Sequence, residues 1–287
     1  MCPGVMTEGG TSPLVSKDYK YWYQRGKRLD QQQYYEEAIA CYDKALEVSP
    51  EEYWIWYDRA ASLRELARYE EALVSFDRAL ALRPNDYWAW YNRGCIALDD
   101  LDLFEEAIAN FDRAIALRPY DYWAWFRRGE ALRHWERYED AISSYDEALS
   151  IRSGDFWALL RRGDALRHLN RYEEALKCYE EAEHVRSDDF WIYYKQGDTL
   201  RYLGRYEDAL KSYHRATELN PDDEYAWYNA ACCAVRIRDD SLAIDHLETA
   251  LRINPNFKLF IDTDPDLEPI QGSGLQNLLS KIAEWNT

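Results

Sequence analysis

The blocks RYEEAL at Arg68, RYEDAI at Arg137, RYEEAL at Arg171 and RYEDAL at Arg205 recur at 34 residues or its multiples, with one slip. A chain that restates itself at this interval is built from one supersecondary unit. That unit is too small to bury its own apolar stripe, so copies must stack and share a core. Registered on these blocks, the units run 19–52, 53–86, 87–121, 122–155, 156–189, 190–223 and 224–257. Only the third has 35 residues, the extra one falling within CIALDDLDLF.

In the unit YWAWFRRGEALRHWERYEDAISSYDEALSIRSGD, apolar or aromatic residues fall at positions 4, 8, 11 and 14 and again at 17, 20, 21, 24, 27 and 28. Both sets have helical spacing. A break near position 15 (Ala67, Asn170, Gly204) and Pro50, Pro84, Pro119, Pro221 and Pro255 at position 32 mark the turns, so each unit is expected to be an antiparallel helix pair. Position 8 is always Gly or Ala, and positions 20 and 27 are alanine in every unit. Small side chains there let the two helix axes approach closely. Position 24 supplies the large counterpart: Tyr42, Phe76, Phe111, Tyr145, Tyr179, Tyr213 and Leu247.

Trp at position 4, Gly or Ala at 8, Leu at 11, aromatics at 17 and 24, Ala at 20 and 27 and Pro at 32 make the chain resemble the tetratricopeptide repeat family from residue 19 to residue 257. The DYWAW and ALRPND phrasing looks similar to bacterial, especially cyanobacterial, members. The resemblance implies an all-α, right-handed superhelical solenoid of seven helix-turn-helix repeats, with first helices lining a concave groove and second helices outside. The chain departs from the family at position 7, where Leu is replaced by Arg25, Arg59, Arg93, Arg128, Arg162, Gln196 or Ala230. Such arginines are expected to lay their methylenes on the core and keep the charge wet. Ser153 and Ser187 replace the proline of units 4 and 5, which points to looser junctions.

Residues 1–18, with their Gly, Ser, Thr and Pro, read as a flexible tail. Residues 258–287 read as a connector and a capping helix over Gly274 to Trp285 that shields the last repeat. The aspartates Asp262, Asp264 and Asp266 hint at a calcium loop, but Leu267 and Ser273 stand where the turn glycine and twelfth ligand belong.

Six cysteines without a CxxC pair are expected to be reduced and mostly buried, as in a cytoplasmic protein. No secretory leader or stretch of about 20 apolar residues is present, so no membrane insertion is expected. A formal charge of -18 disfavours polyanionic partners. Phosphate-loop, zincin and nucleophile-elbow motifs are absent, and no catalytic role or cofactor is expected. Glu130 with His134 and Asp164 with His168 share helix faces, but the repeats holding them are about 10 Å apart, too far for one metal ion.

On the groove orientation implied by the family, positions 2, 5, 9, 12 and 13 face a partner. Position 2 carries Trp88, Trp123, Trp157 and Trp191, and position 5 carries Tyr91, Phe126 and Tyr194. This aromatic ladder suits an extended peptide. Recurrence in every unit points first to packing between repeats for position 2, with partner contact second. Specificity is expected where units differ: Glu130, Asp164 and Asp198 at position 9, His134 and His168 at position 13. Units 4 to 6 add bases at position 6 (Arg127, Arg161, Lys195) and position 12 (Arg133, Arg167, Arg201). The expected surface is basic and aromatic inside and acidic outside, suited to an acidic segment. These arginines could also simply pair with neighbouring carboxylates.

A two-carboxylate clamp of the kind some family members use is not expected. Asn92 and Arg127 fit it, but Trp123, Tyr57 and Ala61 replace its remaining Lys and Asn residues. The function expected is a non-catalytic protein-interaction scaffold, an adaptor, assembly factor or co-chaperone. Single-stranded nucleic-acid binding, which also uses aromatics flanked by arginine, and a regulatory subunit of a larger complex are the alternatives. Replacing Arg127, Arg161 and Arg167 by Glu is expected to weaken partner binding without changing helicity or melting.

Overall fold

The computed structural model describes residues 18–261, 264–270, 272 and 275–280, with only the backbone at Phe260. Among these residues there are no strands, and fourteen long helices follow one another in tandem. Two compact units are distinguished, Met1–Pro119 and Tyr120–Thr287.

In the first unit, α1 (Tyr19–Gln31), α3 (Tyr53–Glu65) and α5 (Tyr87–Asp99) alternate with α2 (Tyr35–Val48), α4 (Tyr69–Leu82) and α6 (Phe104–Leu117). In the second, α7 (Tyr122–His134), α9 (Phe156–His168), α11 (Phe190–Tyr202) and α13 (Glu224–Arg236) alternate with α8 (Tyr138–Ile151), α10 (Tyr172–Val185), α12 (Tyr206–Leu219) and α14 (Asp240–Ile253). Among α1 to α14 the odd-numbered helices have 13 residues and the even-numbered ones 14. The extra residue of the third unit therefore lies in the α5–α6 connection, where it lengthens no helix.

The boundaries follow from local chemistry. Asp86, Asp121 and Asp223 cap their helices by accepting from the backbone N–H three residues on, at 2.9, 3.1 and 2.7 Å. Each odd helix ends on a left-handed residue: Gln33, Ala67, Asp102, Glu136, Asn170, Gly204 or Arg238. Asp102, Asn170 and Gly204 are types that adopt that conformation readily. The other four are held there by the hairpin.

Inside each hairpin the alanines at positions 20 and 27 are fully buried in every unit. The position-8 glycines have a sharper reason. A Cβ on Gly26, Gly129, Gly163 or Gly197 would lie 2.6 to 2.7 Å from the ring of Tyr42, Tyr145, Tyr179 or Tyr213.

Between hairpins, two contacts repeat. The indole N–H groups of Trp56, Trp90 and Trp227 donate to the carbonyls of Pro50, Pro84 and Pro221 at 2.8, 2.8 and 2.9 Å. At the junction where Ser187 replaces proline, the Tyr193 hydroxyl donates to its carbonyl at 3.1 Å, so that latch is kept. Where Ser153 does so, Leu159 has no donor to offer. Position 4 thus supplies one of the contacts between repeats. The position-2 tryptophans contact rings of their own helix.

The second contact corrects the reading of position 7. Arg59, Arg93 and Arg162 are largely shielded and bind Asp43, Asp77 and Asp146 of the preceding hairpin at 2.7, 2.8 and 2.6 Å. Arg59 also donates to Ser75 and Arg162 to Cys178. Leucine was replaced by a cross-hairpin ion pair, and the recurring aspartate at position 25 was its signal.

At the α12–α14 junction this pair is absent, because Ala230 and His214 occupy the two places. His214 and His246 meet there instead, Nε2 to Nε2, at 2.8 Å, with Trp227 against His246. Burial, then the charge of His214, pushes His246 down to about 4, against the opposing pull of Asp245 and Asp239. Burial also lowers His214, with Glu218 opposing. An unfolded histidine titrates near pH 6.5, so the unfolded chain binds more protons as pH falls below that value. Stability is therefore lost between about pH 6.5 and 4, by about 2 kcal/mol at this partly shielded site. A thermal melt should show the loss in the wild type and a flatter pH dependence in His246→Phe. Equal slopes would contradict the assignment.

Beyond α14, a 3-10 turn (Pro255–Phe257), the short α15 (Lys258–Ile261), a 3-10 segment (Pro265–Ile270) and helical residues 275–280 close the second unit. Phe257, Ile261, Leu267, Ile270, Leu275 and Leu278 are buried against Cys232, Val235 and Leu251. Terminal capping of the last hairpin is thus spread over several pieces. The expected helix is described only over 275–280, and residues 281–287 and 1–17 lie outside the described residues. The side chains of Cys41, Cys95, Cys178, Cys232 and Cys233 are buried. No helix among the described residues is long and apolar enough to cross a membrane.

Candidate functional site

The candidate residues of α7, α9 and α11 all lie in the second unit. At 100° per residue, positions 2, 5, 6, 9, 12 and 13 fall within one third of a helix's circumference. Trp123, Trp157 and Trp191 are therefore displayed on the same helix face as the charged candidates, each about half exposed (50, 46 and 55%). Trp123 meets Tyr122 and Phe126 edge to face at 5.1 and 6.2 Å, and Trp191 meets Phe190 and Tyr194 at 5.1 and 5.9 Å. Trp88 and Tyr91 form the same pair in the first unit, at 6.0 Å, with Trp88 half exposed.

Arginines at position 31 cover part of these rings. Arg152 lies over Tyr122 and Trp123 at 4.2 and 5.6 Å, Arg186 over Phe156 and Trp157 at 4.2 and 5.8 Å. Asn220 holds the corresponding place in the hairpin of Trp191, the most exposed of the three. These arginines were not among the sequence candidates, although IRSGD and VRSDD placed them at a fixed distance from the next helix.

The position-9 carboxylates turn inward. The hydroxyls of Tyr145, Tyr179 and Tyr213 donate to Glu130, Asp164 and Asp198 at 2.5, 2.9 and 2.6 Å. Glu130 and Asp164 are buried. Burial raises all three tyrosines well above their ordinary range, and the adjoining carboxylates raise them further. The pattern holds in units 2 to 7: an acid stands at position 9 in the three of them that carry a tyrosine 15 residues later, whereas unit 1 sets Lys27 opposite Tyr42. Units with Phe76, Phe111 or Leu247 have Ala61, Cys95 or Cys232 instead.

Bases at positions 6 and 12 bridge these carboxylates. Arg133 donates to Glu130 at 3.2 and 3.3 Å, and Arg161 spans Glu130 and Asp164 at 3.6 and 3.5 Å. Lys195 binds Asp164 at 2.8 Å. Burial pushes Glu130 up, but the hydrogen bonds and charge of Arg133, with Tyr145 and Arg161, hold its carboxyl below the usual range. Arg167 lies in the field of Tyr179, Asp198 and Asp164, which outweighs its burial and raises its pKa, while its buried Nε has no bonded partner. The Nε of Arg127 is also buried. Arg201 donates to Asn229 at 2.7 Å and faces Asp266 at 3.5 Å.

Across α7, α9 and α11 the face therefore carries Arg127, Arg133, Arg161, Arg167, Lys195 and Arg201 against Glu130, Asp164 and Asp198. It keeps an excess of positive charge, but much of that charge is structural. Reversing Arg161 and Arg167 to Glu would set new carboxylates beside Glu130, Asp164 and Asp198. Melting is then expected to fall, contrary to the sequence expectation that it stays unchanged.

The position-13 residues also turn to a neighbouring hairpin. His168 stacks on Tyr138 at 4.6 Å and Tyr202 on Tyr172 at 5.0 Å, while Arg236 caps Tyr206 at 5.1 Å. Burial and then Arg167 lower His168. His134 lies 2.9 Å from an Arg133 nitrogen. Tyr194 accepts from Asn229 at 3.0 Å, the arrangement that Tyr57 and Asn92 make at 2.7 Å in the first unit. No group of three or more His, Cys, Asp or Glu among the described residues could hold a metal ion.

Comparison with known proteins agrees with this architecture. Models described as tetratricopeptide repeat match residues 19–52, 53–86, 91–156 and 194–256, and a TPR repeat model matches 163–200. No curated protein matches the sequence. The C-terminal part of a TPR repeat-containing protein from Cytophaga hutchinsonii superposes with a TM-score of 0.74 at 16% identity, covering 84% of this chain and 98% of that one. YrrB, described as a TPR protein with an unusual peptide-binding site, gives 0.58 at 22%, covering 65% and 96%. MamA from Desulfovibrio magneticus gives 0.55 at 20%, covering 60% and 96%. With four sets of matching repeat models spread from residue 19 to residue 256 over tandem helical hairpins of one register, the chain belongs to the tetratricopeptide repeat family.

Proposed function

We propose that this chain is a non-catalytic protein-interaction scaffold that takes a peptide segment of acidic character along the odd-helix face of α7, α9 and α11. The observation that carries the reading is the row Trp123, Trp157 and Trp191, half exposed on a face where cations outnumber carboxylates. Large rings held by their own helix give up area to a partner at small entropic cost, and the surplus charge favours carboxylates over phosphate-rich polymers when the whole chain carries -18. Peptide binding by YrrB, a protein of the same fold, supports the partner class. The face works by display and charge matching, and an adaptor or assembly role follows from it.

The test is affinity capture from the native lysate, with captured proteins quantified by mass spectrometry. The Trp123→Ala, Trp157→Ala, Trp191→Ala triple variant should lose its specific partners by about 10-fold or more at unchanged helicity, since removing two or three aromatic anchors costs several kcal/mol of binding. Val185→Ala, on an even helix, should retain them. Equal capture by the triple variant and the wild type would contradict the proposal.

A further inference from the structure

The described C-terminal segment Pro265–Ile270, with Asp264 before it, does two separate things. Asp264 accepts from the Tyr228 hydroxyl at 2.5 Å. Asp58 accepts from the Tyr23 hydroxyl in the same way at 2.7 Å, and Asn92 and Asn229 fill the same place by donating to the hydroxyl oxygens of Tyr57 and Tyr194. Leu267 and Ile270 are buried in the terminal core. Both contacts reproduce what the first helix of one more hairpin would supply.

Asp266 also reaches back past α13 to α11 and sets its carboxylate against Arg201 at 3.5 Å, as Asp100 of the next hairpin does against the position-12 arginine Arg64 at 3.1 Å. Arg201 is the position-12 arginine of its unit, the counterpart of Arg133 and Arg167. A cavity of about 250 Å³ lies at this point, lined by Asp198, Arg201, Tyr202, Tyr206 and Asp266. Asp266 is one-third exposed and so is not locked into the core.

We infer that Asp266 is a built-in competitor for the partner face: it occupies at Arg201 the place that a partner's carboxylate takes along the position-12 arginines. The inference rests on the proposed binding face and adds the chemistry of the partner, an aspartate- or glutamate-bearing peptide whose carboxylates pair with these guanidiniums. It also adds a regulation, since the chain's own segment lowers the affinity of that face at its C-terminal end. The pairing is a partly exposed ion pair, weak enough for an incoming carboxylate to displace.

The experiment uses the full chain and a fluorescein-labelled heptapeptide with the sequence of Asp264–Ile270, followed by fluorescence anisotropy at low salt. Asp266→Asn is expected to bind the peptide at least about 5-fold more tightly than the wild type. A peptide with both aspartates changed to asparagine should gain nothing. Asp266→Glu should keep the wild-type affinity, and Glu268→Gln, an equal change of net charge two residues away, should also leave it unchanged. Circular dichroism melts of the variants report whether the cap has stayed folded, and Asp266→Glu keeps the test decisive if Asp266→Asn loosens it.

Equal affinities for wild type and Asp266→Asn, or no binding to either, would overturn the inference. So would a labelled oligothymidylate that gains as much as the peptide, because the face would then read charge alone. Adding Trp157→Ala and Trp191→Ala to the Asp266→Asn chain separates this inference from the reading beneath it. If the tryptophan changes abolish binding but Asp266→Asn changes nothing, the competitor falls and the face stands. If Asp266→Asn tightens binding and the tryptophan changes are silent, the competitor stands and the tryptophan face falls.

Discussion

Asp164→Ala is expected to destabilise the second unit by about 3–5 kcal/mol, the range for removing one member of a buried charge network. Its carboxylate is 9% exposed and is shared by the Tyr179 hydroxyl at 2.9 Å, Lys195 at 2.8 Å and Arg161 at 3.5 Å. Taking it away leaves a buried phenol without its acceptor and removes the carboxylate that Lys195 and Arg161 share, while Arg161 keeps Glu130 at 3.6 Å. Asp164→Asn keeps an acceptor for Tyr179 and should cost less. Lys195→Met in the Asp164→Ala background should recover part of the loss, because it removes one stranded charge. Urea denaturation followed by helicity tests the order wild type, Asp164→Asn, Asp164→Ala. An unchanged midpoint for Asp164→Ala would show that the network is not structural.

Gly129→Ala is the second large effect. The added Cβ would sit 2.6 Å from Cε1 of Tyr145, a fully buried ring whose hydroxyl is held by Glu130. The ring cannot move without stretching that bond or parting α7 from α8, and overpacking of this kind costs about 1–3 kcal/mol. Loss of the Tyr145 bond to buried Glu130 adds about 1–2 kcal/mol. By contrast, Ala60 lies naturally against Phe76, and Ala60→Gly should cost only about 1 kcal/mol through helix propensity. The melt of Gly129→Ala should therefore fall well below that of Ala60→Gly. Similar melts would contradict the close-contact account.

Most of the hairpin architecture could be read from spacing, because helix periodicity, small residues and turn breakers all act locally. The family resemblance, the extra residue near Asp102 and the burial of the alanines emerged from that pattern. The polar contacts were harder to see, since each depends on two positions of the repeat together. Arg162 with Asp146 and Tyr193 with the Ser187 carbonyl join neighbouring hairpins, Tyr145 with Glu130 joins the two helices of one hairpin, and each needed two registers to be compared at once. The regularities were present, aspartate at position 25 and tyrosine paired with a position-9 acid, but as correlations between columns of the repeat.

The candidate face was legible by a different route. The groove positions were carried over from the family, and position 2 does display its tryptophans. Position 9 was read as variable and therefore specific, whereas in units 2 to 7 it is acidic where position 24 is tyrosine and uncharged where position 24 is Phe or Leu. Position 13 varies because its side chain stacks on position 17 of the previous hairpin in units 5 to 7. Variation between repeats thus reports packing as readily as recognition.

Hydrogen–deuterium exchange on the chain with a captured partner bound tests the central claim most directly. The account predicts slowed exchange in α7, α9 and α11 with little change in α8, α10 and α12. Protection confined to the even helices, with α7, α9 and α11 unaltered, would contradict it.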